Sequence, residues 1–366
     1  MATSRKLTYD DLWAFKDMGR IALSPDGRRL AFVQGSIDRK QNEYRSALML
    51  LHLDEHGRAL GEPHKLTSGA KSDTYPAWAP DSRRLVFISN REDDKSQLWL
   101  IDTDGGEARK LTTMLNGVSE AAWSPDGNWI AFTAAAASTD DDEVLVGRKS
   151  LDEEARKQRE DEQNFGLRTI TNVWYRLDGR GLFEKFNHLF VMPAPTGDDP
   201  ADPAKTRRLT TGDFDYSQPD WTPDSQEIGV LCAHKEDRSF IDDLWAIQRE
   251  TGEARRVSDG SLGLVCYSWS PDGRSAVLVG AQDIRKEGTS LYRLHLVSRE
   301  GGELRPLMRD VDSDTAPVTG AFYGIPGPYV PQWSEDGRRV YMLVTEHGRT
   351  NVCVLDITQD TVKPVT

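Results

Sequence analysis

One four-residue pattern recurs along this chain and constrains its fold more than any other feature. It reads SPDG at Ser24, Ser124 and Ser270, APDS at Ala79, TPDS at Thr222 and SEDG at Ser334. Ser at the first position, Pro at the second and Gly at the fourth are what a type I turn favours. Two copies end in Ser82 and Ser225, which would cost roughly 0.5–1 kcal/mol if that place needs a positive φ. Trp stands directly before five of the turns, at Trp78, Trp123, Trp221, Trp269 and Trp333, and Leu23 takes that place before the first.

The turn is one part of a longer unit. After most copies comes a short run such as RLAFV, RLVFIS, WIAFTA or RVYMLV. These runs are apolar at nearly every position rather than alternately, so both faces of the strand must be covered. A third segment follows (ALMLLHL, QLWLID, HLFVMPA, DLWAIQ, LYRLHLV, NVCVLDI), then a polar turn such as DTDGGEA, then a closing KLT, RLT, RVS or KPVT. That is four strands in meander order. The turns begin at 24, 79, 124, 222, 270 and 334, which are 55, 45, 98, 48 and 64 residues apart. A four-stranded antiparallel unit recurring every ~40–50 residues is the signature of a β-propeller blade. The expected fold class is all-β: a propeller of four-stranded antiparallel blades over 21–366, six of them visible, behind a short helical segment at 1–20.

The interval of 98 marks an insertion. No second Trp–turn pair stands between Ala134 and Asn187, so the third blade carries about fifty extra residues, 134–187, between its second and third strands. Within them SLDEEARKQREDEQ reads as a charged helix and TITNVWYRLDGRGLF as a hairpin around Asp178–Gly179. An excursion of that length reads as functional.

The net charge of −13 argues against nucleic acid and anionic membrane as partners. MATSRKLTYDDLWAFK has no apolar signal region and no run approaches 18 apolar residues, so the expected location is the cytoplasm. Cys232, Cys266 and Cys353 are odd in number, far apart and set in apolar segments, as reduced core thiols would be.

Local matches to catalytic motifs are weak. HLDEH at His52–His56 has the spacing of an inverted zinc-peptidase motif, but runs from a third strand into a turn, where the two histidines diverge. GVSEA at Gly117–Ala121 loosely copies a nucleophile elbow without its strand–turn–helix context. The acidic clusters TDDDE (139–143) and DVDSD (310–314) lack calcium-loop spacing. With no Gly-rich phosphate loop and no Cys/His cluster, no metal, no cofactor and no catalytic residue is expected within 1–366.

LTYDDLWAFKDMGRIALSPDGRRLAFV resembles the start of peptidases of the prolyl oligopeptidase family, in which a short helix precedes the first blade. WSPDGNWIAFTA, TNVWYRLDGRGLFEKFNHLFVMP and RRLTTGDFDYSQPDWTPD are similar to the acylaminoacyl-peptidase (acyl-peptide hydrolase) branch. Members of that branch join a propeller, usually of seven blades, to a C-terminal α/β-hydrolase domain bearing Ser, Asp and His. The resemblance therefore implies the substrate-gating propeller of a cytosolic serine peptidase acting on short or N-acylated peptides. It also implies a seventh blade and a hydrolase domain beyond 366 as the propeller's partner, and an open ring prone to homo-oligomerisation. The SPDG turn with its Trp is shared with TolB-type propellers, so the alternative is a stand-alone TolB-like scaffold for binding proteins.

Strand direction locates the site. In a four-stranded meander the first strand starts at one face, the second returns to it and the third leaves it again. The insertion thus stands on the face where a hydrolase domain would attach. It gathers Arg168, Arg176 and Arg180 with Trp174 and Tyr175 within thirteen residues. Arg suits a bidentate grip on a peptide carboxylate, and the aromatic rings suit a side-chain pocket. These five are the candidate substrate-binding residues; the rival account pairs the arginines with the insertion's own acids between Asp152 and Glu162.

Overall fold

The computed structural model describes residues 5–92, 95–137, 140–167, 176–177, 181–182, 185–197, 202, 205–233, 242–282, 291–308 and 330–366. Six four-stranded antiparallel sheets follow one another as propeller blades. Blade 1 comprises β1 (Asp17–Leu23), β2 (Arg29–Asp38), β3 (Glu43–His52) and β4 (His64–Lys65). Blade 2 comprises β5 (Asp73–Trp78), β6 (Arg84–Ser89), β7 (Gln97–Asp102) and β8 (Arg109–Lys110). Blade 3 pairs β9 (Val118–Trp123) with β10 (Trp129–Ala136) and, after two helices and the paired strands β11 (Arg176–Leu177) and β12 (Gly181–Leu182), continues with β13 (Phe186–Pro193) and β14 (Arg207–Arg208). Blade 4 is β15 (Tyr216–Trp221), β16 (Glu227–Cys232), β17 (Asp243–Gln248) and β18 (Ala254–Arg256). Blade 5 is β19 (Leu262–Trp269), β20 (Ser275–Gln282), β21 (Arg293–Ser298) and β22 (Arg305–Pro306). Blade 6 is β23 (Gln332–Trp333), β24 (Arg339–Glu346), β25 (Arg349–Asp356) and β26 (Thr361–Pro364). Contacts group blades 1 and 2 in one compact unit and blades 3 to 6 in another.

The doubly apolar runs are the second strands. β16 is buried along its whole length, and Leu85 to Ser89 are buried in β6. Each core is a seam between neighbouring sheets: Ala31, Leu48 and Leu50 meet Trp78, Phe87 and Trp99, and Leu189 and Val191 meet Trp221, Ile228 and Val230. The three cysteines lie buried as thiols within strands, where burial pushes the Cys266 thiol up to about 12.

The recurrent turn is a closed hydrogen-bond unit. Ser24 Oγ donates to Asp26 Oδ1 at 2.5 Å and accepts from the Arg29 backbone N–H at 2.9 Å, while the Arg28 N–H donates to Asp26 Oδ1 at 3.0 Å. Ser124, Ser270, Ser334 and Thr222 make the same hydroxyl–carboxylate bond to Asp126, Asp272, Asp336 and Asp224. The Ser24 hydroxyl, like those of its counterparts, holds the Asp26, Asp272 and Asp336 carboxyls below their usual range. At Asp126 and Asp224 burial opposes ionisation and these donors outweigh it. A carboxyl lowered in this way contributes stability that is in place above about pH 4 and is lost as pH falls through its folded value.

The fourth turn residue has positive φ in every copy, at Gly27, Gly127, Gly273 and Gly337 and also at Ser82 (58°) and Ser225 (59°). The two serines have a use for the strained place. Ser82 Oγ accepts the Asp26 N–H at 3.0 Å, and Ser225 Oγ accepts the Asp126 N–H at 3.1 Å. Each therefore ties its own turn to the turn of the preceding blade, where glycine could not.

The repeated Trp, four residues earlier, has the same role. The Trp78 indole N–H donates to Ala22 O at 2.9 Å, that of Trp221 to Ala122 O at 3.1 Å and that of Trp333 to Ser268 O at 3.1 Å. In each case the acceptor lies on the first strand of the preceding blade, two residues before its turn. Arginines of the closing strands reach the other way. Arg207 donates to the carbonyls of Arg249 and Glu250, Arg255 to that of Arg299 and Arg305 to that of Ile357.

The N-terminal segment is a short 3-10 helix, Tyr9–Ala14, and β1 opens only three residues after it. The Thr8 N–H donates to Asp11 Oδ2 at 2.6 Å at its start. The insertion is narrower than 134–187, because β10 runs on to Ala136 and β13 opens at Phe186. It contains a short helix absent from the sequence reading, α1 (Asp142–Leu145), then the charged helix α2 (Glu153–Phe165), whose N-cap Asp152 accepts the Ala155 N–H at 2.7 Å. Of the hairpin expected around Asp178–Gly179, β11 (Arg176–Leu177) and β12 (Gly181–Leu182) are described and pair antiparallel, while 178–180 lie outside the described residues.

Candidate functional site: the insertion-bearing end of blades 3 and 4

Register places three strand positions level with one another at this end. Val118 at the start of β9 pairs with Ala134 near the end of β10, which pairs with His188 near the start of β13. In blade 4 the same row is Tyr216, Cys232 and Asp243. Both blades thus send out their second-to-third links, 137–185 and 233–242, from the end where their first strands begin, as strand direction requires.

Buried ionisable groups concentrate in these rows. The His188 ring is fully buried, with Nδ1 3.3 Å from Thr210 Oγ1 and its face against Tyr216, 5.8 Å between ring centres. That hydroxyl already accepts the Leu189 N–H, so its one proton can go to Nδ1, leaving the ring proton on Nε2. Nε2 has no partner among the described residues. Burial and then the nearby Arg208 charge lower the imidazole to about 4, against the pull of Asp215, so the ring is neutral at pH 7. Tyr216 and Cys232 share a hydrogen bond, and burial raises both well above their ordinary values.

Asp242, at the foot of β17, is raised to about 6 by burial and then by the carboxylates of Asp215 and Asp243. Its neighbours hold other partners: Asp215 accepts the Asn187 N–H at 2.8 Å, and Asp243 accepts Ser258 Oγ at 2.6 Å with Arg256 3.8 Å away. A carboxyl raised on folding costs nothing below about pH 4, where it is neutral in both states; the cost grows as pH rises through its folded value near 6. Asp242→Asn is therefore expected to stabilise the chain by on the order of 1–3 kcal/mol at pH 7.5 and by little at pH 4. Urea denaturation at the two pH values checks this; an equal effect at both would show that ionisation is not the cause. His188 has the opposite sign, its contribution being lost as pH falls from about 6.5 towards 4.

A second cluster lies at the root of the insertion. The Asp140 carboxylate, 4% exposed, accepts Arg159 Nη2 of α2 at 2.7 Å on one oxygen. Its other oxygen accepts the Ala137 N–H at 2.9 Å and Asn116 Nδ2 at 3.1 Å. Asn116 Oδ1 in turn accepts Lys185 Nζ at 2.9 Å. The remaining acids of 139–143 also have structural work: Asp141 caps α1, Asp142 faces Arg208 at 3.4 Å and Glu143 faces Arg148 at 3.3 Å.

Neither candidate nucleophile described at this end is activated. Cys232 is held as a thiol, and Ser119 Oγ donates to the Asn187 side-chain carbonyl at 3.3 Å, which is not a base. Among the described residues no group of three or more His, Cys, Asp or Glu could hold a metal ion. No helix among them is long and apolar enough to cross a membrane.

Of the five candidate residues, Arg168, Trp174, Tyr175 and Arg180 lie outside the described residues, and Arg176 is described only as the backbone partner of Leu182 in the hairpin. The acidic cluster at 310–314 also lies outside them. His188, Asp215, Asp242 and Arg159 were not singled out by the sequence, and Asp140 was named only within the acidic cluster 139–143, set aside for lacking calcium-loop spacing. For His188 a signal existed: it is the one ionisable residue in the apolar third strand FNHLFVMP.

The repeated blades define a β-propeller domain, and the TolB beta propeller domain family matches residues 16–161. Relatives in sequence are peptidases. The chain is 29% identical over 356 residues to the uncharacterized peptidase YuxL of Bacillus subtilis, covering 96% of this chain and 50% of that protein. It is 24% identical over 377 residues to dipeptidyl-peptidase 5 of Porphyromonas gingivalis, covering all of this chain and 50% of that one. The Pyrococcus horikoshii acylaminoacyl peptidase shares the fold at a TM-score of 0.64 and 15% identity, over 97% of this chain and 46% of that chain. The β-propeller domain of the trilobed protease from Pyrococcus furiosus matches with a TM-score of 0.54 at 15% identity, over 96% of this chain and 82% of that domain. This chain is thus a β-propeller with peptidases as its relatives, and it spans about half the length of the curated relatives it matches.

Proposed function

We propose that this chain is the substrate-gating propeller of a cytoplasmic serine peptidase that hydrolyses short or N-acylated peptides, and that it works against an α/β-hydrolase domain carrying the catalytic triad. The observation behind this reading is the match to peptidases along nearly the whole chain but only half of theirs, which leaves their other half to hold the nucleophile. The TolB-like scaffold remains the rival; the family match behind it covers blades 1 and 2 and part of blade 3.

The insertion is the part of the propeller assigned to substrate. In the complete enzyme, changing Arg168, Arg176 and Arg180 singly to Ala should raise KM at whichever one holds a peptide carboxylate. Losing that contact should lower kcat/KM by about 1.5–3 kcal/mol while folding is kept. Peptides with free and amidated ends distinguish the contact, since only the free end should feel the change. Wild-type kinetics for all three variants on both peptides would remove the insertion from substrate binding.

A further inference from the structure

We infer that Asp140 is the positioning residue of the blade 3 insertion: a single buried carboxylate that locks helix α2 to the blade and, through Asn116, ties together the two roots of the excursion. Helix α2 has little else to hold it. Of its side chains that are described, only Ala155 and Arg159, one turn apart, are not fully exposed. Its residues, EEARKQREDEQNF, offer no apolar stripe, and an isolated helix of about 13 residues is marginal in water. Among the described side chains of the helix, Arg159 is the charged one that reaches back to the blade, and it ends on Asp140.

The Asp140 end is built to receive it. The carboxylate is buried, and the Ala137 N–H and the Asn116 amide hold one oxygen in place so that the other faces the guanidinium. Asn116 belongs to the link entering blade 3, and its carbonyl takes Lys185 at the exit of the insertion. Entry at Asp140, helix at Arg159 and exit at Lys185 are thus joined within one connected set of bonds. A partly buried pair of this kind is weakly screened by salt, unlike the exposed charges elsewhere on α2.

The inference concerns the helix itself and stands apart from the peptidase reading; only its consequence for substrate rests on that reading. The test is hydrogen exchange on the chain as it is. Asp140→Asn and Arg159→Gln should each speed amide exchange in 153–165 by tenfold or more while exchange in β9, β10 and β13 stays as in the wild type. The double variant should be no faster than the faster single one, because both remove the same bond. Arg159→Lys, which alters only the helix side, should restore part of the protection and serves if Asp140→Asn fails to fold. Unchanged exchange in α2 in the Arg159 variants, or acceleration spread equally over blade 3, would overturn the inference. If α2 loosens but peptide kinetics in the complete enzyme do not move, the latch stands and the assignment of the insertion to substrate fails.

Discussion

Glu227→Ala is expected to lower the stability of the chain by about 3–5 kcal/mol, seen as a fall in the urea midpoint with the slope unchanged. Glu227 opens β16 with its carboxylate 7% exposed, and two arginines of different blades converge on it. Arg255 of β18 reaches both oxygens at 3.1–3.2 Å, and Arg299, which follows β21 in the next blade, donates through Nε at 2.9 Å. Arg299 also holds the turn residue Asp224 at 2.7 Å. Burial alone would favour the neutral guanidine, yet Asp224 and Glu227 outweigh it and raise the Arg299 value. Removing Glu227 takes the shared carboxylate from two partly covered guanidiniums and leaves Arg299 on Asp224, which costs more than the pair ever contributed. Glu227→Gln keeps an acceptor and should lose less. A loss under 1 kcal/mol for the alanine variant would mean that water replaces the carboxylate without penalty.

Gly229→Val, two residues along the same strand, should be nearly as damaging, at about 3 kcal/mol, the upper end for overpacking in a closed core. A side chain there would set its Cβ 2.7 Å from Tyr267 Oη and 2.9 Å from Trp269 Nε1 of the facing blade. Neither ring can step aside: both are buried, and the Tyr267 hydroxyl donates to Gln218 O at 2.8 Å. Tyr267→Phe in the Gly229→Ala background should recover part of the loss, because it deletes the nearest clashing atom. Additive effects in that pair would place the damage elsewhere in the strand.

These two sites show what the sequence could and could not tell. The blades were legible because a meander writes itself locally: doubly apolar runs, Gly-bearing turns and a Trp at a fixed offset each reflect one blade's own backbone. The charged helix and the 178–179 hairpin were legible for the same reason. The seams were not, since Glu227 looks like any polar residue after a turn until Arg255 and Arg299, 28 and 72 positions away, fold onto it. The sequence makes the cost at Ser82 and Ser225 conditional on a positive φ, which both residues have, but the bond each forms to the preceding turn lies 56 and 99 positions away and leaves no local trace. The candidate site suffered likewise. A run of arginines and aromatics was visible in the insertion, whereas His188, Asp215 and Asp242 become a cluster only when blades 3 and 4 are laid side by side.

The indole bonds have a consequence for how such a chain is made. In the three seams where Trp78, Trp221 and Trp333 find carbonyl partners, the acceptor always belongs to the blade earlier in the sequence. A chain leaving the ribosome N-terminus first therefore presents each of these indoles to a strand that has already emerged, whereas Arg207, Arg255 and Arg305 wait for the blade that follows. For the indoles, biosynthesis and the direction of the bonds run the same way. A circular permutant opened just before Trp78 would reverse that order at one seam, making its first blade emerge with a buried donor whose acceptor is synthesised last.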